Sequence, residues 1–170
     1  MTRNIKRGFT LVEILIVVII LGILAAIVIP QFTNASEDAR RSSMTSQLQT
    51  LRSQIELFKL QHKDNLPGVT AGAFSEAEFW RHLTTKTDMY GAANPAAADA
   101  VGPYLQNKSA NNLVLDVDST KVVPSATDPA TGLPTVAAAA GQGYLYDWET
   151  TGKIWAVEKN KNGVYQVFAE

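Results

Sequence analysis

Apolar residues are concentrated in one block near the N-terminus, and this block is the strongest pattern in the chain. Of the 21 residues from Phe9 to Ile29, sixteen are Phe, Leu, Ile or Val. A helix of that length spans about 31 Å, which matches the hydrocarbon thickness of a bilayer. A lone strand would leave its backbone groups unpaired in lipid. The block therefore predicts one transmembrane helix over residues 9–30.

A single carboxylate, Glu13, interrupts the block close to its start. An acidic residue costs about 2.5 to 3.5 kcal/mol at the bilayer centre and less near an end. The sixteen apolar residues contribute roughly −5 to −10 kcal/mol, so insertion tolerates Glu13. Arg3, Lys6 and Arg7 lie just before the block, and the positive-inside rule predicts that they keep the N-terminus in the cytoplasm while the rest is exported.

A secretory signal peptide, cleaved near Ala25-Ala26, is the main alternative for this block. The apolar run is long for such a peptide and continues to Ile29. It also lacks a good A-x-A cleavage site. The pattern therefore favours a retained helix over a removed one.

A different hydrophobic pattern follows Pro30. Pro30 has no N–H to donate, so it predicts a kink in the helix, and Gly22 is a second weak point. Beyond it, five apolar residues are spaced by four, three, four and three positions: Met44, Leu48, Leu51, Ile55 and Phe58. This spacing predicts an amphipathic helix to about residue 62 whose stripe packs on a sheet of its own domain. A coiled-coil seam is disfavoured because fewer than three heptads are present.

Charged residues occupy the other faces of this amphipathic helix. Glu37 and Asp38 lie within two to four positions of Arg40 and Arg41. The spacings of three and four predict modest ion pairs on the helix surface.

The C-terminal third predicts strands. Residues 144–148, 153–157 and 164–168 are separated by E-T-T-G and N-K-N-G turns, so a three-stranded antiparallel meander is expected within residues 141–170. Residues 113–117 and Val122-Val123 are further strand candidates in a variable segment over residues 63–140. Ser75 and Glu78 predict a capping box ahead of a short helix. The fold class is α+β: a long N-terminal helix packed against a C-terminal antiparallel sheet.

Composition limits the chemistry. The chain has 170 residues, a net charge of −1 and no cysteine. Disulfides, thiolate metal sites and cysteine nucleophiles are therefore excluded, and the charge does not favour direct nucleic-acid binding. No nucleophile elbow, P-loop or dinucleotide fingerprint occurs. We expect no catalytic residues and no enzyme activity.

Metal binding has little support in the sequence. His62 and His82 have no matching ligand spacing and are predicted to be surface or edge residues. Asp116 and Asp118 form a short D-x-D that is a weak calcium candidate, although a turn at a strand end is favoured. No other cofactor is expected. Turn positions are predicted for three acidic residues, Asp128, Asp147 and Glu149. The three tryptophans Trp80, Trp148 and Trp155 are predicted in the hydrophobic core rather than on a carbohydrate-binding or partner surface.

Residues 6–30, which begin K-R-G-F-T-L-V-E-I, resemble the class III signal of type IV pilins and type II secretion pseudopilins, and most closely a major pseudopilin. The matching features are Gly8, Phe9, Glu13, Gly22 and Pro30. The resemblance implies that a prepilin peptidase cuts between Gly8 and Phe9, removes the leader 1–8 and N-methylates Phe9. It also implies a pilin-like fold, in which residues 9–30 first anchor the chain in the bacterial inner membrane and later form a filament core. Residues 31–170 would then be a periplasmic globular domain.

The same resemblance implies a role for Glu13, which would pair with the Phe9 amine of a neighbouring subunit. The alternatives are a carboxylate that reaches the lipid headgroups, or a proton relay. The implied partners are copies of the chain, minor pseudopilins or pilins, the prepilin peptidase, an inner-membrane assembly platform and membrane lipid.

Three functional interpretations remain open at this point. The chain is a pseudopilin that polymerises into a periplasmic pseudopilus for protein export, a pilin of a surface pilus used in adhesion, twitching or DNA uptake, or a singly anchored periplasmic module that does not polymerise. Many pilins close a C-terminal loop with a disulfide, so the absence of cysteine favours the pseudopilin.

Overall fold

The structure of the chain is a computed structural model that describes residues 8–92, 98–106, 120–160 and 162–168. The chain forms two units, which divide between Ala39 and Arg40. Helix α1, Leu11–Gln61, contains Pro30 without a break in its helical assignment, and it ends one residue before the predicted position. A kink at Gly22 or Pro30 stays a prediction. Several predicted features lie outside the described residues: the cations Arg3, Lys6 and Arg7, the strand predicted at 113–117, and Asp116 and Asp118 within and beside that strand.

The predicted apolar stripe of α1 forms the core of the second unit. Its five residues are at most 3% exposed: Met44, Leu48, Leu51, Ile55 and Phe58. They cluster with inward-facing residues of the sheet and with helix α2, Glu76–Thr84, whose buried residues include Phe79 and Leu83. The prediction that the stripe packs within its own domain is confirmed.

The described residues also contain six short strands: β1 Val69–Thr70, β2 Ala73–Phe74, β3 Val122–Pro124, β4 Tyr144–Tyr146, β5 Ile154–Lys159 and β6 Tyr165–Val167. The first two form a small hairpin that the sequence did not predict. The other four form a sheet in the order β3-β4-β5-β6. The predicted meander of β4, β5 and β6 is antiparallel and confirmed.

Strand β3 corrects the expectation of a purely antiparallel sheet. It pairs in parallel with β4, with Val122 opposite Tyr144. Parallel neighbours require a long connection rather than a tight turn, and residues 125–143 supply it. The sheet is therefore mixed.

The capping box predicted at Ser75 and Glu78 is wrong in its hydrogen bonds. Ser75 does occupy the N-cap of α2, but its side chain makes no capping bond. Its backbone N–H donates to the Gly68 carbonyl at 2.9 Å instead. The Glu78 carboxylate pairs with Arg81 one turn further along the helix, so it is not available to the N-cap.

The prediction that both histidines lie at the surface is wrong. His62 is fully buried and His82 is 2% exposed. The His62 ring stacks on Phe58 at 3.7 Å between centroids, and its Nε2 lies 2.9 Å from the Thr87 hydroxyl. His82 Nδ1 accepts a hydrogen bond from the Gly68 N–H at 3.1 Å. Both imidazole rings are therefore packed and hydrogen-bonded in the interior of the second unit.

Asp147 occupies the turn between β4 and β5, as predicted, but it is fully buried. Its carboxylate accepts hydrogen bonds from the hydroxyls of Thr127, Thr150 and Thr151 at 2.5 to 2.6 Å. Burial alone raises the pKa of a carboxyl group, but these hydrogen bonds outweigh it and hold the pKa of Asp147 well below its ordinary value. The turn is built around an ionised carboxylate.

The predicted tryptophan and turn positions largely hold. Trp80 and Trp155 are buried, and the half-buried Trp148 packs against the main core. Asp128 and Glu149 lie in turns.

Arg41 has a tertiary partner. It donates to Glu158 of β5 at 3.0 Å, and the Glu158 side chain is only 3% exposed. Asp38 and Arg40 have no partner among the residues that the structure describes, so the surface ion pairs predicted for these two are not formed within the helix.

Candidate functional site

The candidate site lies at the start of α1, where Thr10 and Glu13 form a reciprocal pair. The backbone N–H of Glu13 donates to the Thr10 hydroxyl at 3.2 Å. The backbone N–H of Thr10 donates to the Glu13 carboxylate at 3.4 Å. This is a capping box, which satisfies two of the N–H groups that a helix start leaves free.

The pair also fixes where the carboxylate of Glu13 lies. Its negative charge sits in the first turn of α1, where the positive end of the helix dipole stabilises an anion. Apart from Thr10, the residues from Phe9 to Leu21 that flank Glu13 in the sequence are apolar. The capping box therefore gives the carboxylate a hydrogen-bond donor within its own chain.

Gly8 and Phe9 precede the helix. Neither residue belongs to a regular element, and both are exposed, with Phe9 at 79%. A peptide bond in this state is accessible to a peptidase, because the backbone needs no unfolding to reach an extended conformation. Cleavage between the two residues would leave a new amine directly ahead of Thr10.

The apolar part of α1 around and after Glu13 is exposed along its length. Its large side chains from Leu11 to Ile29 are 48–82% exposed. Helix α1 contains a window with a mean hydropathy of 3.3 of which nothing is buried, so by length and composition it is able to cross a membrane. A surface this apolar requires lipid or other protein to cover it.

The structure keeps the other sequence candidates apart from this site. Gly22 has open space around it, and Pro30 lies inside α1, with the Thr33 hydroxyl donating to the Ile29 carbonyl nearby at 3.1 Å. Within the described ranges, no group of three His, Asp or Glu side chains is arranged to hold a metal ion.

The sequence reasoning missed the Thr10–Glu13 hydrogen bonds. The signal was present, because a Thr followed three residues later by Glu ahead of an apolar run is a capping-box pattern.

The class of the N-terminal segment is defined by a family comparison. Residues 3–29 match the family described as "Prokaryotic N-terminal methylation motif". This match confirms the resemblance indicated by residues 6–30, and it covers Gly8, Phe9, Glu13 and most of the apolar segment.

The N-terminal region is also similar in sequence to curated proteins of two kinds. The chain is 39% identical over 62 residues to the type II secretion system core protein G of Klebsiella michiganensis, which is 36% of this chain and 44% of that protein. The corresponding protein of Pseudomonas aeruginosa is 37% identical over 62 residues, with the same coverage. The type IV major fimbrial protein FimA of Dichelobacter nodosus is 42% identical over 62 residues, 36% of this chain and 40% of that protein.

The similarity is limited to the N-terminal region. The matched segment spans less than half the length of each of these relatives. No solved structure matches the chain.

Proposed function

We propose that this chain is a structural subunit of a type IV pilus-like filament, and specifically a pseudopilin of a type II secretion system. The observation that carries the proposal is the methylation motif over residues 3–29, together with a carboxylate held at the start of an exposed apolar helix. The subunit would polymerise into a periplasmic pseudopilus that takes part in protein export.

Maturation is the first step of this proposal. A prepilin peptidase would cut between Gly8 and Phe9 on the cytoplasmic side, remove residues 1–8 and methylate the Phe9 amine. The exposure of both residues ahead of the helix supports this step. The apolar part of α1 would then hold the subunit in the inner membrane, with its globular part in the periplasm.

Assembly is the second step. In a filament, the apolar helices of neighbouring copies would cover one another, and Glu13 would accept the Phe9 amine of the next copy. Two opposite charges in a dry helix bundle stabilise the assembly only when each has its partner, and a charge left alone there costs several kcal/mol. The capping bond from Thr10 supplies a donor to the carboxylate while the subunit is still in the membrane.

A surface pilin is the second candidate, because the fimbrial protein of Dichelobacter nodosus is as similar to this segment as the secretion proteins are. The absence of cysteine favours the secretion protein. Deletion of the gene separates the two: loss of exported proteins from the medium supports the pseudopilin, and loss of surface fibres with normal export supports the pilin.

The test of maturation is mass spectrometry of the chain extracted from membranes. The expected N-terminal peptide begins with N-methylated Phe9. A Gly8→Val variant should retain Met1 or the whole leader, because a branched side chain replaces the residue before the cut. Gly22→Ala, which changes a glycine with open space around it, should mature normally. A wild-type chain that begins at Met1, or near Ala26 or Ile27, would contradict the proposal.

A further inference from the structure

We propose that the hydrogen bond from the Gly68 N–H to His82 Nδ1 is an acid-sensitive latch. At neutral pH the latch holds residues 66–74, which are part of the link between α1 and α2, against α2. In acid it releases them while the rest of the second unit stays folded. Both of its residues belong to the second unit, so the inference is independent of the proposed filament role.

The first observation is that the His82 ring is enclosed on several sides. The residue is only 2% exposed. Its ring lies parallel to that of Phe58 of α1, with 5.4 Å between centroids. The Gly68 N–H lies 3.1 Å from Nδ1, and a side-chain carbon built at Gly91 would lie 3.2 Å from Cε1. Because these segments and α2 itself surround the ring, a charge on it gains no water until one of them moves away.

The second observation concerns the protons of this ring. Nδ1 accepts a backbone N–H, so it carries no proton, and the neutral ring has its hydrogen on Nε2. Protonation of the ring therefore places a hydrogen on Nδ1, directly against the Gly68 N–H. Two donors cannot form a hydrogen bond with each other. A proton on His82 thus breaks the latch rather than weakening it.

The charges that face the ring do not remove this conflict. The Glu78 carboxylate lies 3.6 Å from Nε2, but it is already paired with Arg81, whose own charge opposes a charged imidazole. Burial, with Arg81, holds the pKa of His82 at about 4. The other titratable groups on packed segments are His62 of α1, which is also buried, and Asp88, whose carboxylate accepts backbone N–H groups of its own loop. Residues 66–68 are Leu-Pro-Gly and bring no charge.

The second buried histidine behaves differently. His62 Nδ1 lies 2.9 Å from the Phe58 carbonyl oxygen, so this nitrogen carries the hydrogen, and Nε2 accepts from the Thr87 hydroxyl. A second proton on Nε2 still finds an acceptor, because the hydroxyl can rotate and accept. The hydrogen bonds of His62 therefore survive protonation. The acid response is specific to His82, and His62 provides a matched control.

The segment held by the latch has little stability of its own. Strands β1 and β2 are two residues long each, and an isolated two-stranded hairpin is marginally stable at best. The Gly68 carbonyl also accepts the Ser75 N–H at 2.9 Å, so the latch and the closure of the hairpin share one residue. Phe74 packs against an aromatic cluster that consists of Phe79, Tyr146 and Trp148. Release of the segment therefore removes Phe74 from this cluster and exposes an aromatic surface.

Amide hydrogen exchange of the full chain in detergent micelles tests the latch. The open segment binds one more proton than the closed one, so opening becomes more frequent as the pH falls below 6.5. After correction for the intrinsic exchange rates, protection of the Gly68 and Ser75 amides should fall about 50-fold between pH 7 and pH 4.5. At each pH these amides should exchange ahead of those in β5, because local opening precedes global unfolding.

Two variants separate the latch from a general effect of acid. His82→Asn places an amide oxygen near the position of Nδ1, so it accepts the Gly68 N–H without titrating. In this variant we expect protection of Gly68 to change little between pH 7 and pH 4.5. His62→Gln removes the other buried imidazole and should keep the wild-type fall. A fall of the same size in His82→Asn would overturn the latch.

Nuclear magnetic resonance of the wild-type chain tests the same point without a variant. Long-range correlations between ring carbon-bound hydrogens and ring nitrogens report which nitrogen carries the proton. At pH 7 we expect the Nε2–H tautomer for His82 and the Nδ1–H tautomer for His62. The Nδ1–H tautomer at His82, or a Gly68 amide that at pH 4.5 stays protected as long as those of β5, would overturn the latch.

Discussion

The Thr10 hydroxyl accepts a hydrogen bond from the Glu13 N–H at 3.2 Å, and the Glu13 carboxylate accepts one from the Thr10 N–H at 3.4 Å. The carboxylate that interrupts the apolar segment is therefore part of the helix start. It has one hydrogen-bond donor, the Thr10 N–H, within its own chain. Pairing with a second subunit would then exchange a weak backbone donor for a cationic amine, which is a stronger partner.

Thr10→Val tests the capping bond. The variant keeps the shape of the side chain and removes the hydroxyl, and loss of an N-cap costs about 0.5 to 2 kcal/mol. We expect faster amide hydrogen exchange at residues 11–14 of the full chain in detergent micelles. Thr33→Val removes a hydroxyl that bonds the Ile29 carbonyl in mid-helix and should leave residues 11–14 unchanged. Equal protection in wild type and Thr10→Val would contradict the capping role.

Because the His82 ring is buried, we expect the folded state to lose stability in acid. Burial, assisted by the charge of Arg81 and opposed in part by Glu78, lowers the pKa of His82 from 6.5 to about 4. In the folded state Nδ1 must stay unprotonated to accept the Gly68 N–H. The unfolded chain takes up a proton first, so the contribution of His82 is complete above pH 6.5 and is lost as the pH falls toward 4.

The loss amounts to about 3 kcal/mol by the time the pH reaches 4. Thermal unfolding of the full chain in detergent, followed at several pH values, measures it. His82→Gln has no titrating side chain, so it should be less stable at pH 7 and show a shallower fall between pH 6.5 and 4. Identical slopes for the variant and wild type would show that His82 does not carry the effect.

Replacement of the Asp147 carboxylate by an amide should strongly destabilise the folded state. In Asp147→Asn one oxygen can still accept the three threonine hydroxyls, which all donate to Oδ2, but the charge that strengthens these bonds is lost and an NH₂ group replaces the oxygen that accepts the Thr150 N–H. Buried hydrogen bonds to a charged group contribute about 1.5 to 3 kcal/mol each relative to losing them, so we expect destabilisation of at least about 1.5 kcal/mol. Chemical denaturation measures it, and Asp128→Asn, at an exposed turn, is the control. A change no larger than that of the control would contradict this account of the turn.

Removal of the Tyr146 hydroxyl, in contrast, should not destabilise the folded state. Its ring is fully buried, while its hydroxyl has no hydrogen-bond partner among the described residues. A buried polar group without a partner costs free energy, so Tyr146→Phe should leave stability unchanged or raise it. Tyr104→Phe removes a hydroxyl that donates to Gln61 at 2.6 Å and should not stabilise. If Tyr146→Phe is clearly destabilising by thermal melting, its hydroxyl has a partner in solution.

The sequence predicts what depends on local periodicity and misses what depends on distant neighbours. The stripe from Met44 to Phe58 is found because its spacing alone defines one helix face. The burial of His62 and His82 is not found, because Thr87 and the Gly68 N–H reach them only after the chain has folded. The parallel pairing of β3 also depends on where a long connection returns.

For the candidate site, too, some features are predictable from the sequence and others are not. Gly8, Phe9 and Glu13 are recognisable from a short motif, and the family match covers them. The two capping-box patterns, at Thr10–Glu13 and Ser75–Glu78, are equivalent in sequence. Only the first forms its bonds, because Arg81 takes the carboxylate of the second. A local pattern does not reveal such a competing partner.

Glu13→Gln tests the central claim most directly, since glutamine keeps an oxygen for the Thr10 N–H and removes the charge. The measurement is filament yield relative to membrane-inserted subunit in the cell that assembles the wild-type chain. We expect normal insertion and normal cleavage after Gly8, with filament yield reduced about tenfold or more because the neighbour's amine loses its counter-charge. Filaments at the wild-type level in Glu13→Gln would contradict the claim that Glu13 docks one subunit onto the next.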